Sequence, residues 1–361
     1  MTHDIAPSPA DFTDEARRQL QICNACRYCE GYCSAFPAIT RLRAFADGDI
    51  TQIANLCHNC RGCYYACQYT EPHDFAINLP RALAEVRTDS WTRHAWPGGL
   101  ARVFQTRAWA TVAVLVVGFA LLFLAIRAGG ARAGGEGFYA VLSHGAMVAI
   151  FAPAFILPLL ALGAGLRGYW REVGGERVRM AHLRDALAQA ATMRNLGGGH
   201  GEGCNFEAGE RFTLTRRHAH HAVMVGFLLC IASTSSGTVL HYVFDSPAPY
   251  PLWSVPKLLG IPGGILLTLG CAAMLHLKSR AEAGLSDPAT RSADTAFVAL
   301  LGFVGFSGLA LYALGSSVAM PAVLAVHLGA VLTFFLLTPY TKMAHGFYRL
   351  AALIRDAQAR G

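Results

Sequence analysis

The sequence predicts an all-α protein: a small helical two-cluster, ferredoxin-like domain followed by a six-helix transmembrane bundle. Three observations lead there. Eight of the 11 cysteines fall within the first 67 residues, as Cys23, Cys26, Cys29, Cys33 and again as Cys57, Cys60, Cys63, Cys67. Only 15% of the 361 residues are charged and 53% are hydrophobic, with a mean hydropathy of +0.36. A soluble protein carries about 25% charged residues, so much of this chain must leave water. The missing charge lies after residue 107, in apolar stretches long enough to span a bilayer. No strand-like alternation precedes them.

Residues 1–20 are polar, carry Asp4, Asp11, Asp14 and Glu15, and lack the apolar core of a secretory signal. The domain 1–96 is therefore expected to stay on the side of synthesis, where thiols are kept reduced and cysteine runs point to metal rather than disulfides. Residues 11–22 read as an amphipathic helix leading into the first run, and residues 49–56 as a helix delivering Cys57. Residues 75–90 read as a third helix, interrupted by Pro80. Both runs have the spacing C-x2-C-x2-C-x3-C, with 34 residues between equivalent cysteines. This is the ligand pattern of two [4Fe–4S] clusters, in which three cysteines of a run hold one cluster and the fourth holds the other. One set is then Cys23, Cys26, Cys29 and Cys67; the other is Cys57, Cys60, Cys63 and Cys33. Zinc sites use cysteine pairs, often with longer gaps. Ser34 and Gln68 stand where the pattern usually has proline, with Pro37 and Pro72 close by.

Pro97-Gly98-Gly99 marks a linker, and residues 97–167 hold the first two spans: 108–126, free of charge, and about 138–166, with Pro153 and Pro158 as kinks. An insertion follows at 168–217. It reads as an amphipathic helix over 176–196 and then GGGHGEGCN at 197–205, where Cys204 is expected to be exposed. Residues 218–345 hold spans three to six. These are 218–244, 258–277, and the charge-free stretch 295–341, which divides at Gly315-Ser316-Ser317. Residues 346–361 read as a tail. All but three of the 30 Lys and Arg fall on one side of this arrangement, the exceptions being Arg127, Arg132 and Lys257. The positive-inside rule then places both termini and the cysteine domain in the cytoplasm, below a bacterial-type inner membrane. The arginines are scattered and no basic-aromatic motif occurs, which argues against nucleic acid as a partner. No Walker or Rossmann glycine pattern is present, so the chain holds no FAD or NAD of its own by those routes.

Histidines in the membrane are the second strong feature, because ionisable groups in spans are rare and usually functional. His144, His241, His276 and His327 lie in or at the ends of four spans, His218, His220 and His221 cluster where the third begins, and His345 follows the sixth. The same spans contain no Asp or Glu, which fits axial ligation of b-type haem better than proton-coupled transport. The alternative role is interhelical hydrogen bonding or anchoring. His221 and His241 are about 30 Å apart along one helix and cannot share an iron. His144, His241 and His327 gather toward the outer half; His220, His221, His276 and His345 gather toward the inner half. One or two haems fit this distribution. Cys230 and Cys271 sit in apolar spans, where buried free cysteine is ordinary.

The segments QICNACRYCEGYCSAFPA (21–38), LCHNCRGCYYACQYTEPHDFAINLPRALAEVR (56–87), the GGGHGEGCNF loop and RRHAHHAVMVGFLLCIASTSSGTVLHY (216–242) resemble the tricarballylate- or citrate-utilisation protein B family. They are also similar to the C-terminal half of a cobalamin-pathway protein. The resemblance spans nearly the whole chain. It implies an electron-transfer subunit that reoxidises the reduced FAD of a partner tricarballylate dehydrogenase, which converts tricarballylate to cis-aconitate, and delivers the electrons to the quinone pool. Any quinone reductase activity would then need the flavoprotein. The residues support the same logic: two clusters take flavin electrons singly, and a membrane domain meets lipid-soluble quinone. A tricarboxylate transporter and a cluster-based redox sensor are the alternatives. No Lys or Arg lies within a predicted span and no inverted repeat is visible, against the first; no signalling output domain is recognisable, against the second.

Overall fold

The computed structural model describes residues 9–128, 139, 142–207 and 209–361. Arg132 and the start of the second apolar stretch near residue 138 lie outside the described residues. Among the described residues, the chain is helical, with no β-structure beyond one isolated bridge between Cys204 and Thr213.

The cysteine domain contains α1 (Pro9–Cys26), α2 (Phe36–Thr40), α3 (Asp47–Leu56), α4 (Gly62–Tyr65) and α5 (Leu79–His94). The last turn of α1 carries Cys23 and Cys26. α3 stops at Leu56, making Cys57 its C-cap, with the Cys57 N–H donating to Ile53 O. Pro80 begins α5 rather than interrupting it. It sits in the first turn, where its missing N–H breaks no helical bond. The Asn78 side chain caps this turn by accepting from Arg81 N at 3.3 Å, an interaction worth about 1 kcal/mol.

The membrane part contains α6 (Gly98–Ala128), α7 (His144–Glu172), then α8 (Met180–Thr192) in the insertion, and α9 (Thr215–Val243), α10 (Val255–Arg280), α11 (Arg291–Ala313) and α12 (Met320–Leu337). Among the described residues, six helical segments, α6, α7, α9, α10, α11 and the one that starts with α12, are long and apolar enough to cross a membrane. Gly98 and Gly99 open α6 instead of forming a linker. The helix kinks at Arg107, where φ is −134° and ψ 34°, so the charge-free stretch begins on the far side of the kink. α7 runs through Pro153 and Pro158. α9 pairs with α10, α10 with α11, and α12 packs against α11, α6 and α7. Small residues permit these approaches: a Cβ on Gly226 of α9 would press on Gly263 O of α10 at 2.8 Å.

The last helix, α13 (Ala344–Ala359), corrects the expectation of a tail over 346–361. Ala344, Tyr348 and Ala352, spaced four apart on one face, are buried in the same core as Leu20, Phe36, Ile50, Ile53 and Tyr169. Glu172, at the end of α7, locks this junction from the other side. It accepts from Thr51 Oγ1 at 2.7 Å and from Arg93 at 3.1 Å, and pairs with His94 Nε2 at 2.6 Å. The cysteine domain is therefore built from both ends of the chain and the foot of α7.

Candidate metal centre and its membrane face

The two cysteine runs interleave in space. One cavity is lined by Cys23, Cys26 and Cys29 of the first run together with Cys67 of the second, flanked by Ile22, Tyr69 and Ile77. Cys33 lies within electrostatic range of Cys60, Cys57 and Cys29, and Cys63 within range of Cys33, Cys60, Cys57 and Cys29. The structure lines one cavity with the first set of four that the spacing pairs. Among the described residues, no three Cys, His, Asp or Glu side chains converge on one point as the ligands of a single ion do. The sulfurs of the first set border a volume instead.

The repeat extends to the backbone. Arg27 and Arg61 each follow the second cysteine of their run, and both are left-handed, with φ of 57° and 70°. That conformation costs a non-glycine residue about 1–2 kcal/mol and turns the loop around the cysteines. Backbone amides point at sulfur: Asn59 N donates to Cys57 Sγ and Tyr69 N to Cys67 Sγ, each at 3.4 Å. Burial, then the neighbouring Cys29, pushes the Cys23 thiol up to about 12. Burial, then Cys204, pushes Cys60 up to about 12. Burial of this kind disfavours bare thiolates, and a bound cation would offset it.

The two sets face different surroundings. Cys26 of the first is exposed, and neighbouring Tyr28 is 64% exposed. The second set is roofed over, and four arginines crowd it. Arg87 Nη1 donates to Cys57 O at 2.6 Å, Arg349 Nη2 to the same oxygen at 2.8 Å, and Arg216 Nη1 to Asn59 O at 2.8 Å. Arg61, 1% exposed, bonds Asn59 Oδ1, Phe206 O and Ser286 Oγ. Burial, then Arg216, lowers its pKa to about 10. All these acceptors are neutral, and Nε of both Arg216 and Arg349 is buried without a partner. Buried cations call for a counter-charge, so the surroundings fit an anionic group held by thiolates. His58, beside Cys57, has its pKa pushed well down by burial and by Arg349. Sequence reasoning missed this arginine collar; its only local sign was Arg61 inside the cysteine run.

The roof is the glycine-rich insertion. Gly199 N donates to Tyr32 O at 3.1 Å and Asn205 N to Cys60 O at 2.9 Å, fastening the loop to both runs. A Cβ on Gly199 would lie 2.9 Å from Cys33 N. Gly198, Gly201 and Gly203 have φ of +71°, +89° and +116°, which only glycine adopts readily. Cys204 is consequently 1% exposed, against the expected exposure, and its Sγ donates to Leu196 O at 3.2 Å. The error came from treating the loop as free, when it packs on Cys60, Met193 and Leu196. Arg216 stacks on Phe206, 4.2 Å from the ring centroid, and Arg217 donates to Thr192 O at 2.8 Å, so both serve the insertion.

The membrane histidines separate. His144 and His241 stack at 4.0 Å between ring centroids, and His144 Nε2 bonds Tyr242 Oη at 2.8 Å. Two rings so stacked leave no space for an iron between their nitrogens, and this pair does not fit axial ligation of one haem. His327 stands apart from them, with Nδ1 at 3.0 Å from Ser307 Oγ. On the cysteine-domain side, His220 and His345 meet edge to face at 5.7 Å, and His220 Nδ1 is buried without a partner. His221 Nε2 bonds Ala191 O at 3.0 Å, while His218 and His276 are exposed. Of the expected candidates, His220 is brought against His345, whose Nδ1 bonds Lys342 O.

The family model of citrate utilization protein B matches residues 111–361, and the model of its Fer4-like domain matches residues 16–93. Citrate utilization protein B of Escherichia coli is 41% identical over 349 residues, covering 95% of this chain and 91% of that protein. No solved structure matches the chain. With a Fer4-like cysteine domain at one end, six spanning helices behind it and similarity along nearly its whole length, the chain belongs to the citrate utilization protein B family.

Proposed function

We propose that the protein is a membrane electron-transfer subunit that carries electrons from a reduced flavoprotein, through two [4Fe–4S] clusters, to quinone. The donor is an FAD-dependent tricarballylate dehydrogenase, or a similar oxidase of a tricarboxylic acid, acting on the cytoplasmic side of a bacterial-type inner membrane. The observation that carries this reading is the contrast between the two crossed cysteine sets: one reaches the surface at Cys26, the other is enclosed against the spans by α13 and the arginine collar.

Cys23, Cys26, Cys29 and Cys67 hold the entry cluster; Cys33, Cys57, Cys60 and Cys63 hold the exit cluster. Clusters of this kind supply one-electron acceptance and release. The residues of the chain set the order. Exposed Tyr28 and Cys26 admit a partner to the first cluster, whereas the glycine-rich roof keeps water and small oxidants from the second. Arg61, Arg87, Arg216 and Arg349 offset its negative charge and so favour its reduced form. A b-type haem on His220 and His345 would add a further one-electron carrier beside that cluster.

The test is to mix the purified protein in lipid nanodiscs with substrate-reduced flavoprotein anaerobically. Cluster bleaching within the mixing time, and quinol formation when decylubiquinone is added, are expected. Bleaching only by dithionite would reject the flavoprotein as donor. Uptake of a tricarboxylate into vesicles by this chain alone would instead support a transporter.

A further inference from the structure

Asn205 belongs to the glycine-rich roof and is 1% exposed. Neither its Oδ1 nor its Nδ2 has a hydrogen-bond partner. Among the described residues, it is the only side chain with two buried, unpartnered polar atoms. Buried side-chain amides are nearly always hydrogen-bonded, so this one marks a partner that the polypeptide does not supply.

The backbone around it is fixed. Asn205 N donates to Cys60 O at 2.9 Å, and Cys204 exchanges two bonds with Thr213, at 2.8 and 2.9 Å. A Cβ on Gly62 would lie 3.3 Å from Asn205 Oδ1, 3.5 Å from Tyr32 O and 3.6 Å from Phe212 Cε1. Gly62 stands between Cys60 and Cys63, and Tyr32 precedes Cys33. The orphaned amide therefore sits beside the segments that carry three of the four cysteines of the second set. Phe212 stacks on Tyr32 with ring centroids 6.1 Å apart and meets His200 edge to face at 4.3 Å, so aromatic rings pack beside the same spot.

We propose that the Asn205 side-chain amide donates a hydrogen bond to the second [4Fe–4S] cluster and raises its reduction potential. The inference rests on the two-cluster reading above and adds a tuning residue to it. Cluster sulfurs accept hydrogen bonds and donate none, so Nδ2 faces them while Oδ1 stays on the Gly62 side. Reduction adds negative charge, and an N–H held against sulfur stabilises the reduced form more than the oxidised one. The backbone already supplies one such donor to each set, Asn59 N to Cys57 Sγ and Tyr69 N to Cys67 Sγ. Among the described residues lining the first set's cavity, no buried unpartnered amide matches Asn205. That asymmetry favours electron flow from the first set to the second.

The experiment is redox-poised EPR on the full protein in nanodiscs, grown with asparagine carrying 15N in its side-chain amide. Asn205→Leu should lower the equilibrium constant for reducing the second cluster about tenfold, a shift of about 59 mV for one electron, and leave the first cluster unmoved. Asn205→Asp, whose carboxylate only accepts, should lower it at least as far. Pulsed EPR of the reduced, unmodified protein should show a side-chain 15N coupled to the signal that Cys60→Ser removes. Asn205→Leu should abolish that coupling. Unmoved potentials in Asn205→Leu, or no 15N coupling to that signal, would overturn the inference and leave a buried water as the partner of the amide. If Asn205→Leu assembles only one cluster, the 15N coupling in the unmodified protein decides alone. An unmodified protein without two cluster signals would overturn the two-cluster reading instead, a different failure.

Discussion

Arg349, on the last helix, donates to the carbonyl oxygen of Cys57 at 2.8 Å across 292 residues of chain. That single bond ties the end of the polypeptide to the start of its second cysteine run. It also places a guanidinium, with a buried and unpartnered Nε, beside the exit set. Arg349→Met should remove a charge-assisted bond worth about 1.5–3 kcal/mol and lower the potential of one cluster only. Redox-poised EPR would show one signal shifted and the other unmoved. A uniform shift of both would contradict the placement of Arg349 at one cluster.

Crossed ligation makes a prediction that adjacent ligation does not. Cys67→Ser should remove the same EPR signal as Cys26→Ser, and Cys33→Ser the same signal as Cys60→Ser. Each variant should retain about half the iron. Loss of matching signals by Cys67→Ser and Cys60→Ser would mean that each run holds its own cluster.

Gly199 presses its backbone against Tyr32 and Cys33. In Gly199→Val the side chain meets Cys33 N, so the roof must lift. Iron release to a chelator should then speed up several-fold in one phase, that of the second cluster. Unchanged biphasic release would show that the insertion does not protect it.

Removing the iron should weaken the junction between the two parts of the molecule. Cys23, Cys29, Cys33, Cys57 and Cys63 belong to the same buried core as Tyr169 of α7 and Tyr348 of α13. Apoprotein is expected to unfold at lower temperature and to expose α13 to protease. A protease pattern identical to that of the iron-loaded protein would make α13 independent of the clusters.

The histidine pairs predict opposite outcomes. If haem is bound, His220→Leu and His345→Leu should abolish its Soret band, whereas His144→Leu should leave it intact, because the stacked His144–His241 pair has no room for iron. Loss of the band in His144→Leu would reverse that assignment.

Much of this was legible beforehand because it depends on local spacing. The 34-residue offset of the cysteine runs, the charge-free stretches and the distribution of the 30 Lys and Arg are properties of neighbours along the chain. They are enough for an all-α cysteine domain with a six-helix bundle. Pro80 was misjudged by one helical boundary, and the glycines after Pro97 by another, because both residues are tolerated in a first turn as well as between helices.

The rest depends on contacts between distant segments. Cys204 looked exposed because nothing local in a glycine-rich loop announces the surface it will cover. Residues 346–361 looked like a tail because an amphipathic helix does not name its partner. Asp294 and Lys342 lay outside the membrane helices in the sequence reading, yet they meet at 2.7 Å once α11 and α12 turn back. The sequence by itself determined the Fer4-like cysteine pattern and the six apolar stretches, since ligand spacing and hydropathy act over a few residues. Tertiary structure alone decided which cysteines reach the surface and which arginines surround Cys57 and Asn59. Those are properties of packing, and packing joins residues that the chain keeps hundreds of positions apart.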